Sequence, residues 1–368
     1  MAFPNNSRSS VLSINLDAIA TNYRLLETKA NNAKVGAVLK ANAYGLGVER
    51  VAPHLKSLGC NVFFVATLDE GIQLRLIIPN AKIHVFNGIL PGWPEEMHKY
   101  DLYPVLNSLE QIKVWQDYAR FLETCLPADL HIDTGMCRLG LSPKDLNLLT
   151  QSPDLLKFIN LDVALSHLAN ANDPDDILNQ EQLEDFKMAT KVLKSQQLSL
   201  AASSGIFLGP NYHFDLVRPG IALYGGNPLI KNPNPMEQVI RLQGRILQIR
   251  EVNFPQTVGY GSTYKVSRPT RIATVAIGYA DGYLRSLTNK GKVWIEDYEA
   301  QVVGRISMDL TTVDVTLIPD HLVRVGTLVD FIGPNQTIEQ VALTAGTIDY
   351  ELLTNLGARF YRDYIGVK

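Results

Sequence analysis

Strand-like apolar runs alternate with helical stretches eight times over about the first 230 residues, and few folds accommodate that pattern. The runs lie at 35–39, 61–66, 83–86, 103–106, 130–132, 161–165, 198–202 and 215–217. Helical periodicity is read at 17–30, 48–58, 69–76, 94–100, 109–122, 143–149 and 180–194. Thr67 with Glu70, and Ser108 with Gln111, have the spacing of capping boxes. A strand that returns parallel to its neighbour needs a long crossover, most often a helix. Eight such units in this length predict an α/β fold with an N-terminal (β/α)8 TIM barrel. Residues just past barrel strands meet at one mouth, here Lys40, Asn87, Asn107, Asp133, His167, Ser203 with Ser204, and Arg218.

Beyond about residue 230 helical periodicity gives way to short β-branched runs at 239–242, 245–249, 272–277, 292–295, 301–303, 311–315 and 327–332, punctuated by Gly and Pro. This texture predicts a mostly antiparallel C-terminal β domain. The Asn- and Pro-rich stretch 227–235 marks the boundary, giving a barrel over 1–230 and a β domain over 231–368. A strand at 11–16 is expected to pair with the second domain, and a short helix is expected at 338–345.

A chain of 368 residues exceeds what one core usually organises. A net charge of −3 without long like-charged runs argues against nucleic acid and membrane surfaces as partners. The polar start of the chain and the lack of an 18-residue apolar run predict a cytoplasmic protein. Cys60, Cys125 and Cys137 are odd in number and far apart, so neither a disulfide framework nor a metal site is expected.

Lys40 closes the apolar run 35–39 and opens a turn with Tyr44 between small residues and glycines. A lysine at the end of a buried strand either caps it and points to water or, desolvated, becomes a nucleophilic amine. The stretch Val38-Leu-Lys-Ala-Asn-Ala-Tyr-Gly-Leu-Gly47 resembles the cofactor segment of alanine racemases. That resemblance implies pyridoxal 5'-phosphate carried on Lys40 and a bond from Tyr44 to its phosphate. Leu46 stands where the family usually has His.

Further segments resemble the same family in register. In Leu216-Val-Arg-Pro-Gly-Ile-Ala-Leu-Tyr-Gly225, Pro219 and Gly220 break the strand so that the Gly220 and Ile221 amides can face an anion. The resemblance implies that they hold the phosphate with Ser204 and Tyr350, and that Arg218 bonds the pyridine nitrogen. A guanidinium keeps its proton, so that nitrogen would stay largely unprotonated and side reactions such as transamination would be suppressed. His167 is implied to lie against the ring and to bond the second catalytic residue. Ser203 replaces the common Asn, and Asn172 the common Asp.

Asp133-Thr-Gly-Met-Cys-Arg-Leu-Gly140 resembles the segment whose arginine, here Arg138, binds the substrate carboxylate. Many relatives have a carbamylated lysine where His131 stands, so another group must supply negative charge or Arg138 is held differently. Val258-Gly-Tyr-Gly-Ser-Thr-Tyr264 resembles the segment of the tyrosine base, assigning that role to Tyr260 in the partner subunit's barrel. Two more segments imply a backbone contact from Met308 to substrate and an entrance lined by Tyr279, Arg285 and Arg305. The whole pattern implies a homodimeric alanine racemase that makes D-alanine with Lys40 and Tyr260 as bases on opposite faces, for the D- and L-enantiomers respectively. A serine or broader racemase, a barrel decarboxylase and a non-catalytic cofactor carrier are the competing readings.

Overall fold

The computed structural model describes residues 8–229 and 231–366, and these fall into two compact units, Ala20–Met236 and the remaining residues.

Within Ala20–Met236, seven parallel strands run in sequence order: Ala37–Val38, Val62–Val65, Lys82–Val85, Tyr103–Leu106, Leu126–His131, Ile159–Leu165 and Gln197–Ser199. An eighth, Leu216–Val217, pairs in parallel with Lys34–Val35, which continues as Ala37–Val38 after Gly36. Gly36 N donates to Val217 O at 2.9 Å and Arg218 N to Ala201 O at 2.9 Å, so the sheet closes into an eight-stranded barrel. Each predicted strand has its counterpart, because runs such as Val62-Phe-Phe-Val65 lose nearly all exposure only when helices cover them.

The helices Val48–Ser57, Leu68–Ile77, Pro94–Lys99, Leu109–Phe121, Pro143–Gln151 and Ile177–Thr190 fill the crossovers. The last begins three residues ahead of its predicted start, since Asp176 accepts a bond from Leu178 N and caps it there. Thr67 and Glu70 form both halves of a capping box. Ser108 accepts from Gln111 N, but the Gln111 side chain turns to Asn107 N at 2.8 Å.

Charge is buried among the barrel strands as well. His84 Nδ1 lies 2.5 Å from Asp129 Oδ2, and Lys82 Nζ reaches both oxygens of Asp162 at 2.9 Å. Burial raises the Asp129 pKa and His84 opposes that rise.

In the other unit an eight-stranded sheet is built on Ile240–Val252. This 13-residue strand pairs antiparallel with Ser10–Asn15, Leu328–Ile332 and Thr270–Val275. Two shorter strands were expected here. They are one, because Gln243 and Gly244 pair regularly with Ser10–Asn15 and with Leu328–Ile332, where a register shift between Leu242 and Gln243 leaves the strand unbroken. A Cβ on Gly244 would stand 2.8 Å from Val275 Cγ1, so only glycine lets the strands close up there. Tyr361–Ile365 runs parallel to Ser10–Asn15 and adds an edge that sequence periodicity did not reveal.

Candidate active site

Lys40 stands directly after its barrel strand, half-buried, in an unusual turn. Ala41, Asn42, Ala43 and Tyr44 all have φ between 52° and 55°, making one left-handed turn without glycine. Such a conformation costs roughly 1–2 kcal/mol per L-residue, so it persists only where surroundings over-determine it. Asn42 Oδ1 accepts from Val48 N at 2.8 Å and Ala43 N donates to Leu39 O at 2.8 Å. Tyr44 is buried against Tyr224, ring centroids 4.8 Å apart, and Tyr224 Oη donates to Val38 O at 2.7 Å. Desolvation lowers the Lys40 pKa, the Arg138 charge lowers it further, and Glu70 raises it.

Arg218 is almost wholly buried. Its Nη1 donates to Ser199 Oγ at 2.5 Å and its Nη2 to Ser166 O at 2.6 Å. Burial lowers its pKa to about 10, against the charge of Asp129, so it stays a cation at neutral pH. Past it, a Cβ on Gly220 would fall 2.2 Å from the Tyr44 hydroxyl oxygen. The glycine thus leaves a recess in which that hydroxyl and the start of the Ile221–Tyr224 turn converge. Ser203 Oγ accepts from Gly220 N at 2.9 Å and Ala222 N at 3.3 Å, fixing the loop, while Ser204 opens the next 3-10 turn.

The loop 133–140 is built backward from one carboxylate. Asp133 Oδ1 accepts from Gly135, Met136 and Cys137 N at 2.9 to 3.1 Å. Asp133 N donates to Leu141 O at 3.0 Å across the loop's base. Gly140 is required there, with φ 108° and space for a Cβ only 2.7 Å from Asp133 N. Arg138 projects from this loop, exposed, with no carboxylate within salt-bridge range among the described residues.

His131 lies buried beside it. Asn107 Nδ2 donates to Val105 O at 2.7 Å and Phe86 O at 2.9 Å, so its Oδ1 must be what accepts from His131 Nδ1 at 2.7 Å. That fixes a neutral Nδ1–H imidazole, and burial and the Arg218 charge push its pKa down to about 4. His131 is therefore not a source of negative charge for Arg138. Burial and Arg218 likewise push His167 down to about 3. Gln182 is fully buried and orders this corner: its Nε2 donates to His167 O at 3.0 Å and Thr134 Oγ1 at 3.3 Å, and its Oε1 accepts from Ala169 N at 2.8 Å. Gln182 carried no motif of its own, and Ser203 stood out in sequence only by its place past the run 198–202 and as a departure from the family's Asn.

In the other unit Tyr260, Tyr279, Arg285 and Arg305 line one cavity of about 270 Å³. Tyr260 is 73% exposed on a turn between Gly259 and Gly261, whose φ values are 74° and 70°. The Arg305 guanidinium lies under Gly261, 2.9 Å from where a Cβ would stand. Met308 O accepts from Ala280 N at 3.0 Å, and Tyr350 sits on the helix Asp349–Thr354. A larger cavity, about 580 Å³, runs between the helices Pro143–Gln151 and Ile177–Thr190, away from Lys40 and Arg218.

A closed parallel barrel with a desolvated lysine, a buried arginine and an arginine loop at its mouth, continuing in sequence into an antiparallel β unit, defines a lysine-centred barrel enzyme. The family profiles described as the alanine racemase N-terminal and C-terminal domains match residues 14–228 and 239–364. The catabolic alanine racemase of Agrobacterium fabrum is 46% identical over 97% of this chain and 92% of its own length. The alanine racemase of Rhodospirillum rubrum is 44% identical over 98% of this chain and 97% of its own length. The crystal structure of alanine racemase from Bartonella henselae with covalently bound pyridoxal phosphate superposes with a TM-score of 0.94 at 40% identity, covering 97% of this chain and 99% of that one. The biosynthetic enzyme of Pseudomonas aeruginosa gives 0.90 at 33% identity, over 98% and 100%. The chain belongs to the alanine racemase family.

Proposed function

We propose that this chain interconverts L- and D-alanine, with pyridoxal phosphate as cofactor, in a cytoplasmic homodimer whose two sites draw residues from both subunits. One observation carries the reading: a half-buried lysine with a lowered pKa stands near Arg138 at the mouth of the barrel, in a chain that matches both domains of the family.

The residues present fit the cofactor. The recess left by Gly220 brings the Tyr44 hydroxyl to the start of the Ile221–Tyr224 turn, where the Gly220 and Ala222 amides rest on Ser203 Oγ, a group of donors suited to a phosphate dianion. Tyr44, Ser204, Gly220, Ile221 and Tyr350 would hold the phosphate, Lys40 the aldehyde carbon, His167 the ring face and Arg218 the ring nitrogen. When bound, the cofactor supplies the electron sink that acidifies the bond between the substrate α-carbon and its hydrogen. The chain does the rest. Arg138, with no carboxylate in salt-bridge range among the described residues, grips the substrate carboxylate as a fork, and Met308 contributes a backbone contact.

Racemisation needs a proton acceptor on each face. Burial and the Arg138 charge lower the Lys40 pKa, which favours the neutral amine that takes the proton of D-alanine. His167, pushed down to about 3, is too weak a base to serve the other face. Tyr260 takes that role for L-alanine, delivered by the partner subunit together with the entrance residues Tyr279, Arg285 and Arg305. The barrel domain, up to about residue 230, thus binds cofactor and substrate, and the β domain completes its neighbour. The test is to incubate the purified chain separately with L-alanine, L-serine and other amino acids, and to resolve the products by chiral chromatography. Accumulation of D-alanine supports the reading, its absence refutes it, and D-serine at a comparable rate favours a broader racemase.

A further inference from the structure

Glu70 reads in sequence as the third residue of a capping box, and it does cap its helix. Its carboxylate also reaches out of that helix. Oε2 accepts from Ala66 N at 2.8 Å and Thr67 N at 3.3 Å, while Oε1 accepts from Ala41 N at 2.6 Å. Ala41 is the residue that follows Lys40 and the first of the four in the left-handed turn. We propose that Glu70 is a positioning residue for Lys40, clamping the left-handed turn so that the amine faces the barrel mouth and keeping a negative charge beside it.

Three features favour this assignment over capping alone. The clamp spans 29 residues of sequence, whereas a cap needs only the local pair. Both oxygens accept from N–H donors, so glutamine would set its own NH2 group against one of them, and only a carboxylate satisfies both sides. The turn departs from ordinary backbone geometry in four consecutive residues, so an anchor at its first residue decides whether the lysine's direction is held. The Glu70 charge also opposes the lowering of the Lys40 pKa by Arg138 and burial.

The inference rests on the assignment of Lys40, and the experiment keeps the two apart. Four full-length proteins are compared: wild type, Glu70→Gln, Glu70→Asp and Thr67→Ala. The last removes the hydroxyl that accepts from Glu70 N at 3.3 Å and leaves the clamp in place. Each is assayed for kcat and KM across pH. The pH dependence of Lys40 acylation by acetic anhydride is followed by peptide mass spectrometry in cofactor-stripped protein.

Glu70→Gln should lower kcat at least about tenfold with KM nearly unchanged, since a misplacement of about 1 Å can cost a hundredfold. It should also move the acid limb and the Lys40 titration down by about half a pH unit or more, because an opposite charge nearby favours the ammonium form. Glu70→Asp keeps the charge but falls short of Ala41, so kcat drops while the limb stays. Thr67→Ala should match wild type in both. Identical Lys40 titrations in wild type and Glu70→Gln, wild-type kcat in Glu70→Asp, or full reproduction of the Glu70→Gln effects by Thr67→Ala would each overturn the proposal. Covalent cofactor found on a residue other than Lys40 in the wild type would instead overturn the functional reading.

Discussion

Replacing Gly220 by alanine tests the phosphate recess with a single methyl group. The added Cβ would lie 2.2 Å from the Tyr44 hydroxyl oxygen and 2.9 Å from Tyr44 Cζ, both well inside the 3.4 Å at which ordinary contact begins. Gly220 has a φ of −121°, so alanine meets no left-handed penalty and the contact is the whole effect. Tyr44 has little room to yield, since it is buried, packed against Tyr224 and rooted in the left-handed turn. Overpacking of this kind costs about 1–3 kcal/mol of stability. Losing one charge-assisted bond to the phosphate costs a further 1.5–3 kcal/mol or so in binding. At about 1.4 kcal/mol per decade, cofactor affinity should fall roughly 10- to 150-fold. Fluorescence titration of the stripped protein with pyridoxal phosphate measures this directly, and a thermal melt measures the stability change. Tyr44→Phe removes the hydroxyl that collides, so adding Gly220→Ala to it should cost far less than in the wild type. A destabilised Gly220→Ala protein with undiminished cofactor affinity would show that the recess is packing and holds no phosphate.

Other consequences follow from the same geometry. Lys40→Ala should lack the borohydride-reducible, covalently held visible chromophore of the wild type, and a reducible chromophore in that variant would displace Lys40 from its role. Mixed Lys40→Ala and Tyr260→Ala chains, allowed to exchange subunits, should regain about a quarter of wild-type racemisation, since about half the dimers then carry one intact site by two-fold symmetry. Co-purification of the two chains without activity would eliminate the shared site. In cofactor-stripped protein, the lowered Lys40 pKa means the unfolded chain binds that proton more tightly. The penalty is therefore present below the folded pKa and gone above the ordinary value near 10.5. Lys40→Met should accordingly raise the melting temperature more at pH 7 than at pH 10.5, and an equal gain at both would contradict the lowered pKa.

The barrel was legible because most of its strands are buried apolar runs and helices such as Val48–Ser57 and Leu109–Phe121 present one apolar face. Where the β unit was misread, the cause is local. Gly244 looks like punctuation, yet packing against Val275 and Ile277 carries the strand through it. Tyr361–Ile365 is an edge strand of half-buried residues that pairs only with Ser10–Asn15, so it has no apolar run to announce it. Lys40, Arg138, Arg218 and Tyr260 could be singled out because each sits in a segment that resembles one of the family's.

The groups that hold those residues in place are a different matter. Ser203, Asn107, Gln182 and Glu70 each satisfy backbone or side-chain groups far away in sequence, and their residue types are common at caps and strand ends. Nor does any local propensity predict four left-handed residues in Ala41-Asn-Ala-Tyr44, since alanine and tyrosine disfavour that region wherever they occur. The conformation must come from tertiary bonds. A carboxylate that caps a helix and one that also anchors a catalytic turn leave the same spacing in the sequence, and what separates them is the 2.6 Å bond from Ala41 N to Glu70.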